Sequence, residues 1–215
     1  MPRSFDCADP AARAEGLSAA AAAVGAGKLV VLPTDTVYGL GTDAFTAGAV
    51  AALLRAKGRG RDMPVPVLIG SSRTLDGIAT DIPDVARDLV AAFWPGGLTV
   101  ICKQQPSLRW DLGDARGTVA VRMPMDSVAL DLLRTTGPMA VSSANLSGRP
   151  PALDAIEARA QLGDLVEVYL DSGPAAGVLP SSIVDVTGAR PRLLRPGAIS
   201  LAELRTVAPD VELAP

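Results

Sequence analysis

The sequence of 215 residues contains no histidine, and aromatic residues make up only 3% of it. The absence of histidine excludes Ser-His-Asp triads, Cys-His dyads, histidine-based zinc sites and imidazole proton shuttles. The shortage of aromatic side chains argues against a stacking surface for single-stranded nucleic acid, which uses several exposed rings. Reactions that depend on positioning and on neutralising charge, such as nucleotidyl transfer, need none of these groups and stay open.

Cysteine is scarce and the overall charge is slightly acidic. Cys7 and Cys102 have no metal-ligand spacing, and reduced thiols are the expected state of both. The formal net charge is -3 and the pI is about 5.0. An anion site would therefore be a local concentration of Lys and Arg, because the chain as a whole is not basic.

Long hydrophobic runs are absent as well. Residues 1–10 lack the apolar stretch of a signal peptide, and the alanine-rich run at 17–24 is too short and too weakly apolar for a membrane span. These observations predict a cytoplasmic protein without membrane contacts.

Hydrophobic periodicity and Gly or Pro breakers predict alternating helices and strands. Helices are predicted at residues 11–23, 84–93, 127–135, 153–161 and 201–207, and another ends at Ala56 after a cap at Thr46. Strands are predicted at 29–32, 65–69, 98–103, 118–121, 139–141, 166–170, 183–186 and 192–194, the last two paired around a turn at 187–190. With 48% hydrophobic and 20% charged residues, the expectation is one α/β domain over residues 1–215. Its motif-bearing core is expected at about 12–207.

The first polar motif, PTDTVYGLG at residues 33–41, follows a predicted buried strand. Two threonine hydroxyls, a carboxylate and a phenol lie between Pro and Gly, so these side chains can converge on a small polar ligand. A turn with local hydroxyl-to-backbone bonds is an equally good interpretation of this composition.

The second motif, KGRGRD at residues 57–62, follows a helix. Its three cations among glycines can wrap a polyphosphate, because Arg offers a bidentate fork and Lys a point charge. A solvated loop is the competing interpretation, since most charge runs are solvated. No stretch of the chain fits the P-loop pattern, and Gly27-Lys28 precedes a strand instead of following one.

Three further motifs lie beside predicted strands. Arg122, in the segment GTVAVRMP, ends a strand with apolar neighbours, where its charge either reaches solvent or binds an anion. SSANLSG at 142–148 also follows a strand. PSSIVD at 180–185 is followed by LRPG at 194–197. Each motif is weak evidence when it is taken alone.

Taken together, the motifs PTDTVYGL, KGR, VRMP, SSANLSG, PSSIVD and LRPG occur in an order that resembles the threonylcarbamoyl-AMP synthase family, also called YrdC-like. The resemblance runs from about Gly27 to Gly197. It implies an α/β fold of the YrdC/RibB type, with a single twisted open sheet of mixed strands, flanking helices and a concave, positively lined cleft.

The resemblance also implies site residues. L-Threonine would be bound by Thr36, Arg122, Ser143 and Ser181. ATP would be bound by Lys57, Arg59, Met63, Thr118, Asn145, Leu153 and Arg195, with Met63 and Leu153 contributing backbone contacts. Lys57 and Arg59 would be catalytic through charge neutralisation, and no protein metal site is implied.

The implied reaction combines L-threonine, bicarbonate and ATP with Mg²⁺ to give threonylcarbamoyl-AMP and pyrophosphate. The product would pass to tRNA threonylcarbamoyl-transferase proteins for tRNA modification. Two departures from longer relatives stand out. Leu68 replaces a histidine, and this chain ends at Pro215 without their linker and second domain, so a lid is expected from elsewhere.

Two other functions fit some of these features. One is a non-catalytic module that binds RNA, weakly, in the same basic cleft, although the acidic pI and the few aromatics count against it. The other is a carbamoyl-transfer domain of a hydrogenase-maturation protein, against which the lack of fused acylphosphatase or zinc-finger segments argues.

Overall fold

The computed structural model describes residues 1–214; Pro215, the last residue of the predicted domain, lies outside the described residues. The helices of this part of the chain are α1 (Pro10–Gly25), α2 (Ala47–Lys57), α3 (Leu75–Ile78), α4 (Asp84–Phe93), α5 (Ser127–Thr136), α6 (Ala155–Leu162) and α7 (Leu201–Val207). The strands are β1 (Arg3–Asp6), β2 (Val30–Leu32), β3 (Gly39–Asp43), β4 (Val67–Leu68), β5 (Ala79–Thr80), β6 (Leu98–Gln104), β7 (Thr118–Arg122), β8 (Met139–Ser143), β9 (Val168–Asp171), β10 (Ser182–Asp185), β11 (Arg192–Arg195) and β12 (Glu212–Leu213).

Side-chain caps fix where several helices begin. The Asp9 carboxylate accepts from the Ala12 amide at the start of α1, and Asp126 accepts from Ala129 at the start of α5. Asp154 caps α6 in the same way, so this helix begins two residues later than the predicted start at residue 153. Ser200 forms a capping box with Glu203 at the start of α7. Each cap satisfies backbone amides that have no partner within the helix.

The strands form one mixed sheet in the order β1-β9-β2-β3-β8-β4-β7-β6-β10-β11-β12, with β5 paired to β6. The sheet contains parallel pairs such as β4·β7 and β6·β10 and antiparallel pairs such as β3·β8 and β6·β7. The predicted α/β class with a mixed sheet and flanking helices is confirmed. The predicted antiparallel pair near residues 183–194 is confirmed as β10·β11.

Helices cover both faces of the sheet, but they cover one face only in part. Val31 of β2 belongs to the larger core cluster, which includes residues of α2, α4, α6 and α7. Its neighbours Val30 and Leu32 point to the opposite face and join a second cluster with α1 and α5. Within residues 1–214, this second cluster contains no residue of β6, β7, β10 or β11. That part of the face is therefore open for a site.

Strand β3 is a correction to the sequence interpretation. The motif at 33–41 was expected to be a polar loop, but its glycines, Gly39 and Gly41, lie in a strand. A Cβ atom on Gly39 would lie 2.7 Å from Val141 Cγ1, and one on Gly41 would lie 2.9 Å from Met139 Cε. Glycine is therefore required for close packing against β8. Strands β1, β5 and β12 and helix α3 were also not predicted.

No helix in the described part of the chain is long and apolar enough to cross a membrane.

Candidate functional site

A cavity of about 180 Å³ opens on the uncovered part of the sheet face. Its walls come from strands of the sheet and from the loops next to them: Thr34, Thr36, Val37, Tyr38, Gly39, Arg59, Pro64, Pro66, Leu68, Thr99, Arg122, Val141, Ser142, Ser143, Pro180, Ser181, Ile183 and Arg195. Six of the predicted site residues are among them, namely Thr36, Arg59, Arg122, Ser143, Ser181 and Arg195. The sequence motifs from distant parts of the chain therefore meet in one place.

Arg122 is the last residue of β7 and is only 6% exposed. Its Nη2 donates to Asp35 Oδ1 at 2.7 Å, its Nη1 to Thr36 Oγ1 at 2.8 Å, and its Nε to the Gly96 carbonyl at 2.9 Å. Asp35 Oδ1 also accepts from the Met125 amide at 2.7 Å. A guanidinium has five N–H groups, so one on each terminal nitrogen is left for a ligand. The fork is held in a fixed orientation beside the cavity.

The charge of Arg122 is costly in this position. Burial lowers the pKa of its guanidinium, and the neighbouring Asp35 carboxylate partly offsets that effect. The side chains of this ion pair are 7% and 10% exposed. An anion that entered the cavity would supply further compensation for the buried cation.

The Thr36 hydroxyl belongs to a short hydrogen-bond chain. Thr34 Oγ1 donates its single hydrogen to the Val37 carbonyl at 2.6 Å. In the 3.1 Å hydrogen bond between the two threonine hydroxyls, Thr36 is therefore the donor and Thr34 the acceptor. Thr36 Oγ1 also accepts from Arg122. Its hydrogen is thus directed inward, and Thr36 can offer a ligand only an acceptor lone pair.

Ser181 and Arg195 form the opposite wall. Arg195 donates to the Ser181 carbonyl from Nε at 3.0 Å and from Nη2 at 2.7 Å, and Nη2 lies 3.0 Å from Ser181 Oγ. Ser181 Oγ also lies 2.8 Å from Thr99 Oγ1, which connects β6 to this wall. Sequence reasoning did not identify Thr99, although its position next to Arg122 in the sheet follows from the β6·β7 pairing.

Arg59 has an incomplete set of partners. Its Nη1 lies 3.4 Å from Ser142 Oγ, and its Nε is buried without a hydrogen-bond partner among the described residues. An unsatisfied buried donor is costly, so an acceptor is expected there when the site is occupied. Burial and then the charges of Arg122 and Arg59 lower the pKa of Arg195. The three guanidinium groups thus destabilise one another's charged forms, and the lining residues within 1–214 include no carboxylate.

Lys57 does not lie where the sequence interpretation placed it. Lys57 was expected to contact phosphates from a loop that follows a helix, but it is the last residue of α2 and is only 1% exposed. Its Nζ donates to the Ser143 carbonyl, to the Asn145 carbonyl at 2.8 Å and to Asn145 Oδ1 at 3.1 Å. Burial, followed by the charge of Arg59, lowers the pKa of Lys57 to about 7. Lys57 is not among the residues that line the cavity.

The other residues predicted to bind ATP do not line the cavity. Asn145 is buried, and its Nδ2 donates to the carbonyls of Leu146 and Arg149. Thr118 shares a face of β7 with Arg122, about 13 Å away along the strand at about 3.3 Å per residue. Met63 is 41% exposed, and the Leu153 carbonyl accepts from the Ala175 amide at 2.6 Å. Their contacts with ATP stay predictions.

A second cavity of about 480 Å³ lies on the other side of the Asp35 loop. Its lining includes the carboxylates Asp35 and Asp126 and, among the described residues, no Lys or Arg. The two cavities therefore differ in charge, and only the smaller one suits an anionic ligand.

Comparisons with known proteins agree with this geometry. Residues 22–197 match the Sua5_yciO_yrdC family model, described as "Telomere recombination". The chain is 60% identical over 207 residues to a Mycobacterium tuberculosis protein named "Putative threonylcarbamoyl-AMP synthase", across 96% of this chain and 95% of that protein. It is 37% identical over 190 residues to the threonylcarbamoyl-AMP synthase of Pyrococcus abyssi, across 88% of this chain and 56% of that protein. The crystal structure of Pyrococcus abyssi Sua5 complexed with L-threonine superimposes with a TM-score of 0.89 at 36% identity, over 93% of this chain and 59% of that one.

Proposed function

The chain belongs to the Sua5/YciO/YrdC family, and we propose that it is an L-threonylcarbamoyladenylate synthase. In this reaction L-threonine, bicarbonate and ATP give threonylcarbamoyl-AMP, pyrophosphate and water. The enzyme would be a nucleotidyltransferase, and its product would serve the formation of threonylcarbamoyladenosine in tRNA.

One observation carries the proposal: a buried arginine fork with free donors lies in the same cavity as two further arginines. Arg122 keeps one N–H on each terminal nitrogen for a carboxylate. Arg59 and Arg195 lie in the same cavity and suit phosphate oxygens. A site that binds an amino acid next to a nucleotide needs this combination. The threonine complex of the Pyrococcus abyssi relative supports the amino-acid half.

The threonine end of the site uses Arg122, Thr36, Ser143 and Ser181. The Arg122 fork pairs with the substrate carboxylate. Thr36 offers only a lone pair, so it suits an N–H group of the substrate. The hydroxyls of Ser143 and Ser181 complete the binding of the polar groups.

The nucleotide end uses Arg59 and Arg195 for the phosphates, with Met63, Thr118, Asn145 and Leu153 further out. Thr118 lies about 13 Å from Arg122 along β7. A ligand that reaches from the Arg122 end of the sheet face to Thr118 is therefore extended, as ATP is.

The proposed chemistry is compatible with this placement. The threonine amine takes up bicarbonate or carbon dioxide to form N-carboxythreonine. A carbamate oxygen attacks the α-phosphorus of ATP, the P–O bond to the β-phosphate breaks, and pyrophosphate leaves. The reactants are anionic, so binding them together is largely an electrostatic and orientational task, which the arginines perform. No side chain is assigned as a general base.

Mg²⁺ enters as part of the substrate Mg-ATP. Within residues 1–214, no group of three or more His, Cys, Asp or Glu side chains is placed to hold a metal ion. The ion would therefore be bound mainly by the phosphates, where it supplies charge neutralisation.

The proposed partners are ATP, L-threonine, bicarbonate and the proteins that transfer the threonylcarbamoyl group to tRNA. A cytoplasmic location is part of the proposal, since tRNA is modified there. No observation in the described residues favours the alternative of a non-catalytic RNA-binding module.

The test is the dependence of pyrophosphate release on all three substrates. We expect release from Mg-ATP only when both L-threonine and bicarbonate are present, together with a product whose mass is that of threonylcarbamoyl-AMP. Pyrophosphate release at an equal rate without threonine would identify a general ATPase and contradict the proposal.

A further inference from the structure

Lys57 and Arg59 are neighbours in the sequence but have different surroundings. The helical spacing of Val50, Leu53, Leu54 and Lys57 puts all four side chains on the buried face of α2. Gly58 then adopts a left-handed conformation with φ of 64°, which ends the helix and turns the chain. Arg59 lines the cavity after this turn, whereas Lys57 does not. The two cations of the motif therefore need not share a function.

The hydrogen bonds of Lys57 use its full donor capacity. An ammonium group has three N–H donors, and the acceptors are the Ser143 carbonyl, the Asn145 carbonyl and the Asn145 side-chain oxygen. The Lys57 carbonyl in turn accepts from the Ser147 amide at 2.8 Å. In this arrangement Lys57 has no donor left for a phosphate oxygen.

These bonds hold the turn that follows β8. Asn145 donates from Nδ2 to the Leu146 carbonyl at 2.9 Å and to the Arg149 carbonyl at 2.7 Å, so its side chain closes the same loop that Lys57 binds. The Ala144 amide donates to the Tyr38 carbonyl at 2.8 Å. Ser143, the last residue of β8, lines the cavity directly before this turn. The backbone at Ser143, from which its hydroxyl projects, is thus held by Lys57 through the Ser143 carbonyl.

We infer that Lys57 is a positioning residue, which holds the carbonyls of Ser143 and Asn145 so that Ser143 faces the substrate, and that it does not bind the phosphates of ATP. The inference rests on the proposed function for the identity of the substrates. It replaces the sequence prediction of a catalytic, ATP-binding Lys57, and it leaves Arg59 as the phosphate-binding cation of the motif.

The experiment compares Lys57→Met with the matched control Arg59→Met. Affinity for ATP is titrated calorimetrically without threonine, and kcat and the KM for threonine are measured from pyrophosphate release. We expect Arg59→Met to weaken ATP binding at least about tenfold and Lys57→Met to change it less than about threefold, because only Arg59 contacts phosphate. We expect Lys57→Met to raise the KM for threonine about tenfold.

A second comparison separates positioning from general damage to the fold. If Lys57 acts through Ser143, adding Ser143→Ala to Lys57→Met changes the KM for threonine less than about twofold, although Ser143→Ala alone raises it. If the increases in the KM for threonine caused by the two substitutions multiply in the double variant, the inference is overturned. A loss of ATP affinity in Lys57→Met equal to that in Arg59→Met would also overturn it.

A crystal structure of the unmodified protein with a non-hydrolysable ATP analogue tests the inference even if Lys57→Met does not fold. Retention of the three Lys57 contacts supports it, and a phosphate oxygen within about 3 Å of Lys57 Nζ contradicts it. Failure of the proposed function is a separate result. It would show as absence of threonine-dependent turnover in the unmodified protein, while the ATP titrations and the crystal structure would still report on Lys57.

Discussion

Replacement of Arg122 by lysine tests the division of the cavity into a threonine end and a phosphate end. The guanidinium donates to Asp35, Thr36 and the Gly96 carbonyl, and two of its N–H groups are left for the substrate. Lysine keeps the positive charge but has three donors and no planar fork. An ammonium that kept its three protein partners would have no N–H donor left for the substrate.

The expected loss follows from these counts. A hydrogen bond to a charged group contributes about 1.5–3 kcal/mol, which corresponds to roughly a ten- to hundredfold weaker affinity for L-threonine. The affinity for ATP, measured without threonine, should change less than about threefold. Any of the three protein acceptors that the shorter lysine side chain cannot reach would be left unsatisfied, which costs about 1–3 kcal/mol of stability.

Calorimetric titration of Arg122→Lys with each ligand separately, well below its melting temperature, measures both affinities. Arg192→Lys is the matched control, because Arg192 also pairs with a carboxylate, Asp185 at 3.2 Å, but is 50% exposed and does not line the cavity. Its threonine affinity should match that of the unmodified protein. If ATP binding collapses in Arg122→Lys and threonine binding does not, Arg122 belongs to the phosphate site and the division is wrong.

Two further predictions concern the KGRGRD motif. Arg59→Ala should abolish turnover, whereas Arg61→Ala should stay within about twofold in a pyrophosphate-release assay, because Arg61 is 55% exposed and pairs with Asp111 and Asp114; equal losses would refute this distinction. Burial, and then the charge of Arg59, lowers the pKa of Lys57 from 10.5 to about 7. Between these two values the unfolded chain binds more protons at this position than the native protein, so the free energy of unfolding should rise with pH relative to Lys57→Met. Urea unfolding between about pH 7 and pH 9 measures how the free energy of unfolding changes with pH in the unmodified protein and in Lys57→Met. The two slopes should differ by at most about 1.4 kcal/mol per pH unit, and equal slopes would contradict the lowered pKa.

Much of the fold could be predicted from hydrophobic periodicity. Helices α4 and α7 have the predicted bounds, because an apolar stripe and clear end signals define each of them. Strand β3, GLGTD, could not be found in this way, since it contains two glycines and a charged end. It is a strand because β2 and β8 pair with it on both sides, which is a tertiary effect.

The sequence predicted which residues lie in the candidate site better than it predicted what each residue does there. The family resemblance implied that Thr36, Arg59, Arg122, Ser143, Ser181 and Arg195 bind the substrates, and the structure places all six in the lining of one cavity. The sequence also contained an overlooked signal for Lys57, which lies seven residues after Val50 on the buried face of α2. The role of Asp35 in holding Arg122 could not be read from the sequence, because the pairing joins residues 87 positions apart.

The number of donors shows why arginine suits the proposed contact with the ligand and lysine the proposed support of the turn. Both Arg122 and Lys57 are buried, at 6% and 1% exposure, and both donate three hydrogen bonds to protein atoms. After those bonds the guanidinium still has two N–H groups and the ammonium has none. A buried cation that must hold its own position and also bind a carboxylate therefore has to be arginine. Where the task is only to hold three nearby oxygens, arginine would bring two donors without acceptors, so lysine is the better residue at position 57.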